Sequence, residues 1–437
     1  MKIVIRILIA LAGVAILVSL FYAEEDWRGK RDWENCKHEL EAKGEVLDWN
    51  AYIPAPVPDD SNFFKAPKMQ NWFVRDVHAT TNEFAGRLRN ADTIASITNE
   101  TAAINYLAWS DQFKADFDLI RDALKRPYAR MDGDYSVPFE IPTPNFVNVR
   151  LIAQTLAQRA KCCLLLGQPE KALDELTLLN DSRHMLEAAP TGKPMTLVSA
   201  MINVAVTGLY IEAIANGLQS HIWQEPQLIT IQKQLEEINL SQFVVESYHT
   251  ERAAECDTIE TGVLGKMRDV RHPNLMRGWL YQNLVVITKL DQDAVDCIDL
   301  TNNFILPQKA DDAQRKIEAV GKHIRPYTFL AAIAVPNTAK ALQTLAYDQT
   351  LANEAQIVCA LERYHLARGE YPGALDALAP QYIEKLPHDI INGQPLHYRR
   401  TSDGQFVLYS VGWNETDDGG LPGTLADVKN GDWVWKN

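Results

Sequence analysis

The chain has 437 residues, with 43 Lys and Arg against 57 Asp and Glu for a formal net charge of -14, and it is 46% hydrophobic and 9% aromatic. These values exclude the collagen-like, disordered and small disulfide-scaffold classes, and they leave apolar material for two or three domains with cores of their own. No nucleic-acid partner is expected, because neutralising phosphates needs a clustered basic surface and no run of Lys or Arg supplies one.

Lys2 and Arg6 open the chain, residues 7–23 carry no charge, and Glu24, Glu25 and Asp26 follow. A run of 17 uncharged residues is near the shortest length that spans a bilayer. Signal cleavage wants small residues, and Phe21-Tyr22-Ala23 offers a bulky aromatic instead. The expectation is a retained single-pass anchor in the inner (cytoplasmic) membrane through residues 7–23. Basic residues before the helix and acidic ones after it place the amino terminus in the cytoplasm and the bulk of the chain in the periplasm, with Tyr22 and Trp27 at the outer interface. A cleaved, secreted form is the alternative.

Residues 24–43 are charged and helix-compatible, and Gly44 is a natural stop. Pro54, Pro56 and Pro58 then forbid a helix and favour an extended strap along the body, anchored by Trp49, Tyr52, Phe63 and Phe64. From 82 to 348 helical periodicity dominates. It is interrupted at Pro127, between Pro138 and Pro144, around 190–194, and near Pro226, Pro273, Pro307 and Pro336. In 151–176, Ala160, Gly167 and Ala172 resemble the spacing of one tetratricopeptide helix pair; a single copy predicts a helical hairpin, not an array. Residues 195–211 carry no charge, but Thr196, Ser199, Asn203 and Thr207 form a polar stripe. That pattern predicts a helix buried in a bundle, not a second membrane span.

Six cysteines, Cys36, Cys162, Cys163, Cys256, Cys297 and Cys359, form no C-x-x-C pair and read as buried small apolar residues; in an oxidising compartment some could pair. Glu246 with His249, and Glu362 with His365, each sit at i, i+3, a spacing used in di-iron four-helix sites. The further glutamates of such a site are not identifiable, so surface polar pairs are expected. Glu246, Glu251, Glu255, Asp257 and Glu260, with His249 and Arg252 among them, read as a solvated helix face. No Gly-x-Ser-x-Gly elbow, His-Glu-x-x-His, phosphate loop or Gly-x-Gly-x-x-Gly occurs. The sequence therefore does not ask for an enzyme, and the alternative it leaves open is a periplasmic metal-assisted hydrolase with its site in the helical body.

Near residue 349 the pattern changes. A helix is predicted over 351–368, broken by Gly369, then a second short helix that starts in 370–378 and ends near Tyr382. Strands follow over 396–400 and 405–411 around a Ser402-Asp403-Gly404 turn, then a loop rich in glycine and carboxylates. The order of Gly369-Glu370-Tyr371-Pro372, Leu386-Pro387-His388-Asp389, Gly393-Gln394-Pro395-Leu396-His397-Tyr398 and the acidic glycine loop resembles the globular part of type II secretion major pseudopilins. The resemblance implies a small α+β unit over the last 90 or so residues, and an acidic loop that binds calcium. Carried onto this chain, the metal candidates are Asp417, Asp418, Asp427 and Asp432, with Asn414 where the family has an aspartate; glycine-rich backbone lets such hard oxygen ligands converge. The leader and processing site of that family do not occur in residues 1–21, and 24–348 intervene, so an ordinary pilus subunit is not expected.

The whole chain looks like uncharacterised membrane-anchored bacterial envelope proteins. The expected fold is mainly α, divided into an anchor (1–23), a charged helix and Pro-rich strap (24–81), a helical body (82–348) and a pseudopilin-like α+β domain (349–437). The expected function is protein interaction or a structural role in the envelope, associated with a secretion or pilus-type assembly.

Overall fold

The computed structural model describes residues 2–75, 86–88, 97–186, 196–261, 277–335 and 337–436. The predicted breaks at 190–194, Pro273 and Pro336, and the junction at 81/82, lie outside them. The fold is mainly helical. Helix α1 spans Lys2–Ala42, and α2 is the short turn Met69–Phe73. The body follows with α3 (Glu100–Ser110), α4 (Lys114–Ala123), α5 (Phe146–Leu165), α6 (Pro169–Ser182), α7 (Leu197–Gln219), α8 (Glu225–Glu236), α9 (Leu240–Glu260) and α10 (Arg277–Val295). After a two-stranded ribbon, β1 (Ile298–Asp299) and β2 (Phe304–Ile305), come α11 (Pro307–Lys322), α12 (Phe329–Ala334) and the long α13 (Thr338–Arg368). A three-stranded antiparallel sheet ends the chain, with β4 (Phe406–Ser410) between β3 (His397–Arg400) and β5 (Trp433–Val434).

The apolar segment and the charged segment after it form one unbroken helix. At 1.5 Å per residue α1 is about 60 Å long. Residues 3–24 are exposed throughout, an apolar length that suffices to cross a membrane. From Glu25 onward one face is buried against the body, where Trp33, Cys36 and Leu40 pack with Cys256 and Leu284. The spacing of those three residues, i, i+3 and i+7, puts them on one helical stripe. Gly44, at φ +90°, ends the helix as expected.

The strap is held by the aromatics that the sequence singled out. Trp49, Tyr52, Phe63 and Phe64 are all buried. Trp49 Nε1 donates to the Tyr135 carbonyl at 2.7 Å, and the Phe63 N–H donates to the Tyr128 carbonyl at 2.6 Å. The predicted hairpin is α5 and α6. Ala160 and Ala172 are fully buried between them, Gly167 takes φ +65° at the turn, and Pro169 opens α6, where its missing N–H costs nothing.

The polar stripe of α7 is buried, with Ser199, Asn203 and Thr207 inside. Its partner is the buried Arg183, whose guanidinium donates to Asn203 Oδ1 at 3.2 Å, Thr207 Oγ1 at 3.3 Å and Asn180 Oδ1 at 2.9 Å. All six cysteines are buried and free. Burial pushes the thiols of Cys162 and Cys297 up to about 12.

Helix α13 starts thirteen residues earlier than the predicted 351, at Thr338, so it runs unbroken through positions 348 and 349. Every residue from Asp348 to Glu362 except Leu351 is buried, and such a helix can only be a core element. The same core takes in body residues such as Leu228 and Ile231 and C-terminal ones such as Leu378, Leu408 and Trp433. The short helix predicted to start in 370–378 and end near Tyr382 is a single 3-10 turn, Leu375–Leu378. Both predicted strands form and pair in register, His397 opposite Tyr409 and Arg400 opposite Phe406.

Candidate functional site

The acidic loop folds back on itself. Asp432 is fully buried; its Oδ1 accepts from the Asp418 N–H at 3.1 Å and its Oδ2 from the Gly420 N–H at 2.6 Å. Asp418 Oδ2 accepts from the Gly431 N–H at 2.9 Å and from Asn414 Nδ2 at 3.0 Å. Asp417 Oδ1 accepts from the Gly419 N–H at 2.9 Å and the Tyr409 hydroxyl at 3.0 Å, with His397 Nδ1 3.5 Å from Oδ2. Gly423 and Gly431 touch through their backbones, where a Cβ on Gly431 would lie 2.7 Å from Gly423 Cα. Close packing of this kind lets N–H groups do locally what a cation would do.

Asp417, Asp418 and Asp432 therefore share one loop. Burial raises the Asp432 carboxyl above its ordinary range against its two N–H bonds, and the charges of Asp418 and Asp417 add to the rise. Asp417 is lowered by the Gly419 N–H and the Tyr409 hydroxyl. Asp427 serves a different turn: its oxygens accept from the Lys429 N–H at 3.3 Å and from Asn430 Nδ2 at 3.0 Å. Asn414 Oδ1 accepts from the Thr416 N–H at 3.0 Å, so this amide turns its donor, not its oxygen, toward Asp418. The three grouped aspartates, like Asp427 and Asn414, already accept hydrogen bonds from within the C-terminal segment. Among the described residues no three His, Cys, Asp or Glu side chains stand in a metal-holding arrangement.

The two Glu/His pairs do not make a common site. His249 Nε2 lies 3.3 Å from Glu45, which follows α1, and Glu246 accepts from Gln242 at 2.9 Å. The run around them is not the solvated face that its charges predict. Arg252 is completely buried, donating to Gln292 Oε1 at 2.6 Å and paired with Glu45. Asp291 and Glu255 are hydrogen-bonded to each other, and burial raises both carboxyls. Glu260, at the end of α9, accepts from Trp33 Nε1 at 2.7 Å and Lys37 Nζ at 2.6 Å. Glu260 thus helps to hold α1, and a local charge pattern cannot distinguish paired charges from solvated ones.

Glu362 turns away from a partnership with His365. Its Oε2 lies 2.9 Å from Nδ1 of His221, just past the end of α7, and its Oε1 accepts the Tyr371 hydroxyl. His365 instead stacks on the Tyr371 ring, with centroids 4.7 Å apart, and Tyr371 meets Phe406 edge-on at 4.8 Å. Burial first, then the Glu362 bond, holds the Tyr371 phenol well above its ordinary range. His221 has φ 49°, the left-handed region that a non-glycine residue seldom occupies. His221, Glu362 and Tyr371 line a cavity of about 290 Å³ together with Val358, Phe406 and Trp435. Tyr371 was legible in the Gly-x-Tyr-Pro step, but His221 gave no signal because it reaches Glu362 across 141 positions of sequence.

No family model matches the chain, and comparison with curated proteins and with solved structures yields no match.

Proposed function

We propose that the chain is a single-pass protein of the inner membrane whose body and C-terminal segment face the periplasm and bind other envelope proteins within a secretion or pilus-type assembly. The observation that carries this reading is the build of α1. Its exposed apolar half continues, without a break, into a half seated on α9 and α10. A linker would let the body swing, whereas a continuous helix fixes the body's height and orientation at the bilayer surface, as a scaffold requires. Lys2 and Arg6 before the apolar run, and Glu24 to Asp26 after it, support the orientation. The pseudopilin-like order of the last 90 or so residues supports the kind of assembly.

Fractionation, protease accessibility in spheroplasts and crosslinking in intact cells test it together. The expected result is a carbonate-resistant membrane protein, cleaved only from the periplasmic side and crosslinked to envelope proteins. A soluble mature form starting after Ala23, or crosslinks only to itself or to cytoplasmic proteins, overturns it.

Calcium belongs to the same reading, held by Asp417, Asp418 and Asp432. Binding to the folded state raises the melting temperature by mass action, so millimolar calcium should raise that of the full chain by a few degrees, and Asp418→Asn should abolish the rise. No rise for the unaltered chain removes calcium and leaves a loop closed by its own N–H donors.

A further inference from the structure

We infer that the connection between α11 and α12, residues 323–328 with Phe329 beside it, is a second membrane contact that dips into the surface of the bilayer α1 crosses; this rests on reading α1 as an anchor. Ile324 is 60% exposed and Phe329 36% exposed. Singly exposed apolar side chains are common; what distinguishes these is where the fold puts them. Helices α1 and α10 run side by side in the same direction, with Gly278 against Glu25 and Gly29, and Thr288 Oγ1 further along at 3.6 Å from Cys36 Sγ. A level on α10 is therefore also a distance from the apolar half of α1. Asn283 Nδ2 donates to the Trp279 carbonyl at 2.8 Å and to the Pro326 carbonyl at 2.9 Å, so Pro326 stands beside the first turns of α10, level with Trp27 to Arg31. That is about 6–12 Å along α1 from Ala23 at 1.5 Å per residue, and the polar headgroup layer takes up about the first 5–8 Å. The ranges overlap, and the side chains of Ile324, Tyr327 and Phe329 add their own length. From there α12 leads away from the bilayer: the Leu330 N–H donates to Asn283 Oδ1 at 2.8 Å, and Ala331 and Val335 pack with Ile287 and Leu290. The connection is thus the end of α12 nearest the membrane.

Its charge fits a phospholipid surface. No Asp or Glu occurs between Glu318 and Asp348 in a chain of net charge -14, and Lys322, His323 and Arg325 stand beside the apolar pair. Lys and Arg close to anionic lipid favour contact. Tyr327, whose hydroxyl accepts from the Arg325 guanidinium at 2.8 Å, and Trp27, with the Arg31 guanidinium 5.3 Å from its ring centre, are aromatics of the kind that sit at headgroup level. So small a patch would not hold a free protein on a bilayer. It need not, because α1 already tethers the body and the second contact forms within one molecule. One helix leaves the body free to turn about the membrane normal and to tilt; a second contact fixes its tilt and the face it holds to the bilayer.

The experiment places a nitroxide on Ile324→Cys, Ile333→Cys or Val14→Cys in the full chain, in nanodiscs of phosphatidylcholine and phosphatidylglycerol. It reads collisions with oxygen, which concentrates in lipid, and with a water-soluble nickel chelate. The six native thiols are buried and the three chosen side chains are exposed, so labelling disturbs no packing. Ile333 is 68% exposed but lies further down α12, about 15 Å or more from the level of Ala23, and serves as the reference in water. The labels at positions 14 and 324 should collide more with oxygen than with the chelate, and the label at 333 should reverse that order. A label at 324 as open to the chelate as the one at 333, with position 14 protected, overturns the second contact and leaves the anchor standing. A label at 14 that is open to the chelate overturns the anchor and the second contact with it. Shielding of position 324 from both reagents, with broadening by a neighbouring nitroxide, would mean that another copy of the chain covers the connection, and also overturns the inference.

Discussion

Asp348 sits in α13 with its carboxylate against the backbone of α7, where a Cβ on Gly208 would lie 3.3 Å from Asp348 Oδ2. Burial pushes this carboxyl from an ordinary 3.8 up to about 7. The folded state therefore holds a proton that the unfolded chain releases. The protonated group's contribution to stability is complete below about pH 3.8 and is lost as the pH rises through about 7. Asp348→Asn should remove this dependence. Its melting temperature should exceed that of the unaltered chain at pH 8 and converge with it near pH 4, with a difference in unfolding free energy at pH 8 of at most about 4 kcal/mol. Parallel melting curves for the two proteins from pH 4 to 8 would show that Asp348 ionises freely. At this scale the sequence was legible wherever chemistry alone decides burial: the six cysteines, the strap aromatics and the polar stripe of α7 were each placed correctly. It was misleading at Arg252, because Arg252 meets its counterion Glu45 across 207 positions of sequence and local spacing carries no trace of that meeting.

Between elements, the seating of α1 on α10 depends on two glycines. A Cβ on Gly29 would lie 2.2 Å from the Gly278 carbonyl oxygen, and one on Gly278 would lie 2.1 Å from the Glu25 carbonyl oxygen. The Gly278 N–H also donates to Asp26 Oδ1 at 2.6 Å, and Glu25 accepts from Trp279 Nε1 at 3.2 Å. Gly278→Val must push the two backbones apart, so it should cost about 2–4 kcal/mol and unseat α1. The readouts are faster proteolysis within 24–43 and a lower melting temperature; Gly13→Val, at a site with nothing within 4 Å, is the control that should change neither. Resistance of the Gly278 variant to proteolysis would mean that α1 is held by Trp33 and Arg252 alone. The charged helix and its stop at Gly44 were readable from composition. Its docking was not, because Trp33, Cys36 and Leu40 are a thin apolar stripe among charges, and the glycine that receives the helix is 249 positions from its counterpart. The third strand, β5, escaped for a simpler reason: two residues are too few to show an alternation.

For the molecule as a whole, the question is whether the last 90 or so residues form a unit or a part. A boundary at 348/349 follows the change of sequence pattern, yet that position lies inside α13. Gln349 accepts from the Leu240 N–H at 2.8 Å and Gln356 donates to the Leu235 carbonyl at 3.1 Å, both on the body. Arg363 reaches Glu225 at 2.9 Å. The segment beyond α13 is stitched on as well, with the Ile305 N–H donating to the Ile390 carbonyl at 2.7 Å and Tyr347 meeting Trp433 edge-on at 5.4 Å. A fragment starting at 349 would expose the face of α13 that carries these contacts. Each large apolar side chain of that face left in water costs about 1.5–3 kcal/mol, so a few of them amount to much of the stability of a small domain. Residues 349–437 expressed alone should therefore lack a cooperative melting transition and dispersed amide resonances. Co-expressed with 1–348, they should co-purify with it and regain both. A fragment that melts cooperatively by itself would instead mean that the sheet and the C-terminal half of α13 suffice as a core, and that the body docks onto a domain already folded.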